Sequence, residues 1–522
     1  MPEFASASRL PPLQALAKPC AAVLSLLIIS GCAAAPPPVT QSEERSLFVE
    51  ASSDIIEFHI NAVLPAQLAI DGLNRLSSID PNLTVERTAN EVLLQRGGDI
   101  RRFDAPAPDA VAEWGALTAK ALATARSMSP AVAVIPPDRL DELVIDASLA
   151  KLDPYSRYAR PEVARERRAV RDGFAGIGVT LEIQPTEVRI ASVMPDTPAA
   201  EAGLKAGDRI VILDGVPVTQ LAADEVRRHL RGPAQTRVQL AVARSGNPQL
   251  LDITVERANI VPESVTLKEA DGIAWLRLRA FNQQTAQTLA GLMQRAHHDL
   301  GPALTGIVLD LRDNPGGLLD QSVDVVSLFL GSGDVVSTIG RNPQSQQHFV
   351  AGENGDVEKL PMVVLVNGGS ASASEIVAAA LQDSGRAVVV GTSSYGKGTV
   401  QTVLRTSNDG ELTVTWAQLI TPRGYFLNTH GVVPTVCTSG LEDSAAGAAS
   451  VLAARPDPVP AALARARNTL DDNGWRDLRA LCPPKREERG VEAMVARRLL
   501  ADAPLYRRVL AAIGTTHVAA NQ

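Results

Sequence analysis

The chain has 522 residues, 45% apolar and 21% charged, which is room for three or four domains of ordinary globular composition. Aromatics are only 3% of it, so the cores must be built from Ala, Val, Leu and Ile. A net charge of −8 without a basic cluster argues against nucleic acid as a partner. The four cysteines, Cys20, Cys32, Cys437 and Cys482, show no CxxC or Cys/His metal spacing. His297 and His298 are adjacent, and adjacent residues do not share a helix face. No metal and no cofactor is expected.

Residues 1–32 read as an export signal: Arg9 and Lys18 precede an apolar run, Ala21 to Ile29, too short to span as a mature helix. Ile29-Ser30-Gly31-Cys32 resembles the bacterial lipobox, which implies lipidation at Cys32. The Ala/Pro tract Ala33 to Pro38 suits a tether. Residues 33–167 read as mainly helical, with apolar residues three or four apart in Pro65 to Leu76 and Ala110 to Met128. Thr84 to Leu94 alternates weakly, like a small hairpin. Asp141 to Arg160 reads as a helix followed by Leu152-Asp153-Pro154-Tyr155-Ser156.

Residues 168–257 resemble a PDZ domain. Gly173 to Gly178 is glycine-rich, and Ile177, Val179, Leu181 and Ile183 alternate with Gly178, Thr180 and Glu182 as in a half-buried strand. Asp214-Gly215 marks a tight turn. Ala222 to Leu230 reads as an amphipathic helix. Val238 to Val242 and Leu251 to Val255 flank a turn at Gly246-Asn247. A PDZ groove adds a peptide as an extra strand and holds its terminal carboxylate on loop N–H groups. The resemblance gives that loop to Ala175, Gly176, Ile177 and Gly178, with Val226 and Leu230 as groove-wall candidates.

Residues 258–440 alternate strand-like and helix-like runs, which is an α/β pattern. Ile273 to Leu278 and Thr305 to Leu311 read as strands, Gln284 to Ala296 and Leu318 to Leu330 as helices, and Leu412 to Ile420 as another strand. Asp310-Leu311-Arg312 leads into Asn314-Pro315-Gly316-Gly317. The apolar run Met362 to Val366 turns through Gly368-Gly369 into Ser370, Ser372 and Ser374, then into a helix-like run from Glu375. Ala387 to Val390 precedes a lysine bracketed by glycines, Gly396-Lys397-Gly398. A serine at a strand-to-helix turn is lifted above the sheet, with helix N–H groups near to hold an oxyanion. A lysine can replace histidine as its base, provided burial lowers its pKa from about 10.4. Residue chemistry alone leaves the three serines equivalent.

Together these stretches resemble the carboxy-terminal processing peptidases, tail-specific serine endopeptidases with a Ser–Lys dyad. The resemblance covers roughly residues 141–436, including the LDPYS segment and the DLRxNPGG turn. Its register implies Ser372 as nucleophile, Lys397, twenty-five residues on, as base, and Gln401, one helical turn further, as the group orienting Lys397. It implies oxyanion donors at Gly317 or Gly316 and at Ala373, and structural roles for Asp310 and Arg312. The implied fold is multidomain α/β: a core similar to the crotonase and Clp-protease fold, an inserted PDZ domain, a helical N-terminal region and a helical C-terminal extension at 441–522. Cys437 and Cys482 could form a disulfide pinning that extension. The expected function is a lipid-anchored periplasmic serine endopeptidase cutting proteins with exposed C-terminal tails, alone or with an adaptor or activator protein. Ala33 after Cys32 leans toward the outer membrane. Its rivals are a non-catalytic PDZ scaffold and a serine hydrolase using His430.

Overall fold

The computed structural model describes residues 41–184, 186–352, 358–453 and 471–512. Cys32 and the export signal lie outside these. Gly306–Asp310, Met362–Val366 and Val388–Gly391 are buried along their whole lengths, as strands covered on both faces must be. They form the centre of a six-stranded sheet in the order Val265–Ala270, Ile273–Leu278, Gly306–Asp310, Met362–Val366, Val388–Gly391, Val436–Cys437. The first pair is an antiparallel hairpin and the rest are parallel. Asp310 pairs with Leu365, so the loops after both strands leave the same edge of the sheet, where α/β proteins build their sites.

A second, antiparallel sheet runs in the order Gln347–Val350, Asp334–Ile339, Glu411–Ile420, Thr399–Arg405, and Arg157–Ala159 pairs with the first residues of Glu411–Ile420. The helix Ala373–Asp383 is buried at every position. Its Ile376, Val377 and Ala380 share one apolar cluster with Leu309, Val364 and Val389 of the first sheet and Val336 and Leu419 of the second. A helix rich in alanine fits there because its short side chains let both sheets approach.

The N-terminal helices Gln41–Phe58, Pro65–Leu73, Val111–Met128 and Pro137–Leu149 pack around Trp114 and cover Leu412 and Val414 of the second sheet. The helix expected from Pro65 to Leu76 breaks after Leu73, and a short one follows at Leu76–Ile79. In place of a hairpin there is a three-stranded meander, Leu83–Arg87, Glu91–Arg96 and Asp99–Asp104. Its third strand buries only Phe103, so it leaves no alternation in the sequence. Val179–Gln184, Glu187–Val193, Arg209–Leu213, Arg237–Ala243 and Leu251–Glu256 form the sheet of the inserted domain. Val238 pairs with Val255 and Val242 with Leu251. The helix Ala223–Leu230 packs Val226 and Leu230 into that domain's core.

The C-terminal segment is part of the core. Val491, Val495 and Leu499 of the helix Gly490–Ala501 pack on Val308, Val363 and Val388, the outer face of the parallel sheet. Residues 258–440 without it would leave that face bare. Cys437 and Cys482 are joined by a disulfide, with Cα atoms 5.8 Å apart.

Gly391 ends its strand at φ +138°, and a Cβ there would stand 1.9 Å from the Val366 carbonyl oxygen. Gly391→Ala is expected to cost at least about 1–3 kcal/mol of stability, read as a lower denaturant midpoint.

Candidate active site

The backbone turns sharply at the end of Met362–Val366. Ser370 Oγ donates to the Leu311 carbonyl at 2.8 Å and accepts from Asn367 N–H at 3.0 Å. Ser374 Oγ donates to the Asn314 carbonyl at 2.9 Å. Both are buried, so two of the three candidate serines are occupied in building the turn. Ser372 differs: it precedes the helix Ala373–Asp383 at φ +56°, ψ −116°, and its side chain makes no capping bond. For a residue with a Cβ such a conformation costs about 1–3 kcal/mol and persists only where its surroundings enforce it.

What enforces it is Glu375, which in the sequence only opens a helix-like run. The carboxylate is fully buried. Oε2 accepts from Ser372 N–H at 2.8 Å and Lys397 N–H at 2.9 Å; Oε1 accepts from Gly396 N–H at 2.7 Å and Ser394 Oγ at 2.5 Å. One side chain thus ties the serine turn to the lysine loop across twenty-two residues of sequence. Burial raises its pKa, and the four donors act against that. The only sequence signal was an acidic residue three positions after a serine that opens a helix, which also describes an ordinary capping box. Gly398 completes the loop: a Cβ there would stand 1.8 Å from Asn428 N.

Lys397 is largely withdrawn from solvent. Burial lowers its pKa, the Arg157 charge lowers it further, and Glu375 and Asp153 oppose both. Its Nζ lies 5.0 Å from the centroid of the Tyr155 ring, a cation–π distance. Among the described residues no hydrogen bond joins it to Ser372 Oγ. Catalytic contacts are often open in ligand-free enzymes.

Gln401 does not lie one helical turn after Lys397. The chain leaves Gly398 as the strand Thr399–Arg405, in which four residues span about 13 Å. A bulge between Val400 and Gln401 turns the side chain aside. Its Nε2 donates to Thr399 Oγ1 at 2.9 Å and Thr415 Oγ1 at 3.2 Å. Thr415 Oγ1 donates to Asp153 at 2.8 Å. Asp153 also holds Tyr155 N–H at 2.7 Å and pairs with buried His59 at 3.1 Å. Gln401 therefore connects to the loop that carries Tyr155, not to the amine.

The turn after Gly306–Asp310 lies against Ser372. Arg312 grips Asp310 through Nε and Nη2 at 2.8 and 2.6 Å. Asn314 Oδ1 accepts from Gly316 N–H, and the Asn314 carbonyl accepts from Ala371 N–H. A Cβ on Gly316 would meet Ala373 N and Ser372 Cβ, each at 2.9 Å, and one on Gly317 would meet the Phe281 carbonyl oxygen at 2.1 Å. Both positions need glycine. Among the described residues no hydrogen bond occupies the N–H of Gly317 or Ala373. His430 is engaged elsewhere, stacked on Trp475 at 4.9 Å with Nδ1 against the Phe426 carbonyl at 2.7 Å. His297 and His298 are exposed, and His297 meets Glu358.

The sequence pattern of peptidase family S41 matches residues 272–438, and that of the PDZ domain matches residues 189–244. The carboxy-terminal-processing protease of Bartonella bacilliformis is 39% identical over 305 residues, 58% of this chain and 70% of that protein. The chain belongs to the carboxy-terminal-processing protease family. It is accordingly a serine-type peptidase with a PDZ domain. The carboxyl-terminal-processing protease of Synechocystis sp. is 33% identical over 299 residues, 56% of this chain and 69% of that one. Among solved structures, a photosystem II D1 C-terminal processing protease is 26% identical, covering 76% of this chain and 92% of its own, with a TM-score of 0.38.

In this family member the PDZ groove is narrower than its glycines suggested. Phe174–Gly176 is a strand paired with Ala258–Ile260, so Ala175 and Gly176 belong to the stem where the domain enters and leaves the peptidase. The extended backbone needed for that pairing removes them from a loop. Ile177 is buried, its carbonyl accepting from Ala199 N–H, and Gly178 turns at φ +86° against Thr197. The groove, about 270 Å³, is lined by Ile177 to Leu181 and by Arg227, Leu230 and Arg231. Val226 points into the core instead.

Glu375→Gln turns one carboxylate oxygen into an NH₂ facing two donors. At least a tenfold loss of kcat is expected, with KM nearly unchanged, in steady-state peptide hydrolysis.

Proposed function

We propose that the peptidase cuts peptide bonds with Ser372 and Lys397. The observation that carries this reading is Glu375, which locks a strained, uncommitted serine and a desolvated lysine into one unit. Neutral Lys397 takes the Ser372 proton as Oγ attacks the scissile carbonyl. The N–H groups of Gly317 and Ala373 hold the oxyanion. Lys397 then gives the proton to the leaving amine, and water attacks the acyl-enzyme by the reverse route. For this, Nζ must swing from the Tyr155 ring to Ser372 Oγ. Gln401 supports the step from behind, through Thr415 and Asp153.

The PDZ groove takes the substrate's C-terminal residues as an added strand, and cleavage falls upstream of them. The linker helix Pro161–Asp172 gives groove occupancy a path to the site. Its Arg168 and Arg171 pair with Asp409 and Glu411, at the hairpin whose strands carry Gln401 and Thr415. We further propose export and lipidation at Cys32, with the protein facing the periplasm from a membrane, leaning to the outer one. The Cys437–Cys482 disulfide agrees with an oxidising compartment. Among the described residues no helix is long and apolar enough to cross a membrane. An adaptor or activator protein would act by the same route as a PDZ ligand.

Degradation of a disordered protein with an apolar C-terminal tail tests the dyad. Ser372→Ala and Lys397→Ala should each lower kcat at least about 10³-fold; cleavage that survives Ser372→Ala would sink the reading. Wild-type kcat/KM should rise with pH through one ionisation below the ordinary lysine value of 10.5, because only the neutral amine is a base. Lys397→Met should abolish activity yet raise Tm at neutral pH. The folded-state pKa of Lys397 is depressed, so its burial costs stability as pH falls from 10.5 through the depressed value, and methionine removes that cost.

Gly176 and Ala258 are paired neighbours, so a short Gly/Ser turn can replace residues 178–256. The resulting enzyme should cleave tailed and tailless substrates at equal rates. Tail preference that outlived the deletion would place tail recognition outside the PDZ groove.

A further inference from the structure

Trp475, Leu478, Arg479 and Cys482 fall at the three- and four-residue spacing of one face of the helix Asp472–Leu481 and its C-cap. Three of them suit a buried stripe: Trp475, Leu478 and Cys482 are 4%, 3% and 0% exposed. Arg479 does not, since a cation on an apolar stripe is costly unless it is paired. Its partners are the active-site loops. Nη2 donates to the Ser394 carbonyl at 3.0 Å and Nη1 to the His430 carbonyl. Burial lowers the Arg479 pKa, and the opposing charge of Glu375 acts against that shift. Arg479 Nη1 and Glu375 Oε1 lie 2.6 and 3.1 Å from where a Cβ on Gly431 would stand, so a bare Gly431 leaves them the space to approach.

A second contact lies just beyond the helix. The Lys485 carbonyl accepts from Gly368 N–H at 2.7 Å and Thr392 Oγ1 at 3.1 Å, and the Arg486 carbonyl accepts from Asn367 Nδ2 at 3.0 Å. These are the turn ahead of Ser372 and the loop ahead of Lys397. The disulfide to Cys437 sits between the helix and this strap.

We infer that the C-terminal segment is part of the catalytic apparatus. Arg479 is a positioning residue that fixes the Ser394–Gly398 loop and balances Glu375, and the Cys437–Cys482 disulfide keeps it in place. This rests on Lys397 being the base. Ser394 is the joint: its hydroxyl reaches Glu375, its carbonyl Arg479, and its N–H the Val432 carbonyl at 3.0 Å.

The test compares full-length wild type, Arg479→Gln, Arg479→Lys, Cys437→Ser/Cys482→Ser and Lys397→Ala on a tailed peptide, at temperatures where circular dichroism shows each folded. Arg479→Gln should lose at least tenfold in kcat with KM within twofold. Its pH midpoint for kcat should rise, because unbalanced Glu375 favours the protonated amine while Arg157, Asp153 and Tyr155 still face Lys397. Arg479→Lys should restore the midpoint, and the double serine variant should lose kcat in the same direction. Wild-type kcat and midpoint in Arg479→Gln, even with a lower Tm, would overturn the inference, provided Lys397→Ala is inactive. An active Lys397→Ala would instead overturn the Ser–Lys reading.

Discussion

One buried carboxylate holds the site together. Glu375 accepts backbone hydrogen bonds from the turn after Met362–Val366 and from the loop after Val388–Gly391. An ionised group with no solvent is tolerable only with its lone pairs filled, and here filling them requires both segments to be in register. The same four bonds give Ser372 its strained φ and give Lys397 its depth. Stability and reactivity are thus opposed within a few residues: the fold carries a strained serine, a desolvated amine and a desolvated acid, and offsets them with the apolar packing of the helix Ala373–Asp383.

The rest of the architecture supports that junction from several sides. The parallel sheet delivers the Asn314–Gly317 turn and the serine turn to one edge. The antiparallel sheet supplies Gln401 and Thr415. The N-terminal region reaches the site through His59, Asp153 and Tyr155. The C-terminal segment closes the sheet's outer face and comes round to the lysine loop. The PDZ domain stands on a two-stranded stem, with a basic linker helix pinned to the second sheet.

In the ligand-free geometry Lys397 rests on the Tyr155 ring and, among the described residues, makes no hydrogen bond to Ser372. The ring stabilises the charged amine, whereas the proposed mechanism needs the neutral one pointing at Ser372. A substrate that excludes water from the site would favour the second arrangement, since desolvation works against the ammonium.

The sequence by itself determined the family, the α/β class and the two motif turns, because these depend on local patterns: apolar runs, glycines that no other residue can replace, and fixed spacing between serine and lysine. It could not choose among Ser370, Ser372 and Ser374 on chemical grounds. The structure separates them, since two hydroxyls are consumed by carbonyls from the neighbouring turn and strand end. Sequence spacing also misplaces Gln401, Ala175 and Gly176, because spacing along a chain predicts proximity only once helix or strand is known, and residues 399–405 and 174–176 are strands. The roles of Glu375, Tyr155 and Arg479 were not legible for a different reason. Each owes its place to partners twenty to more than two hundred residues away, and long-range hydrogen bonds and ion pairs leave no periodicity in a single sequence.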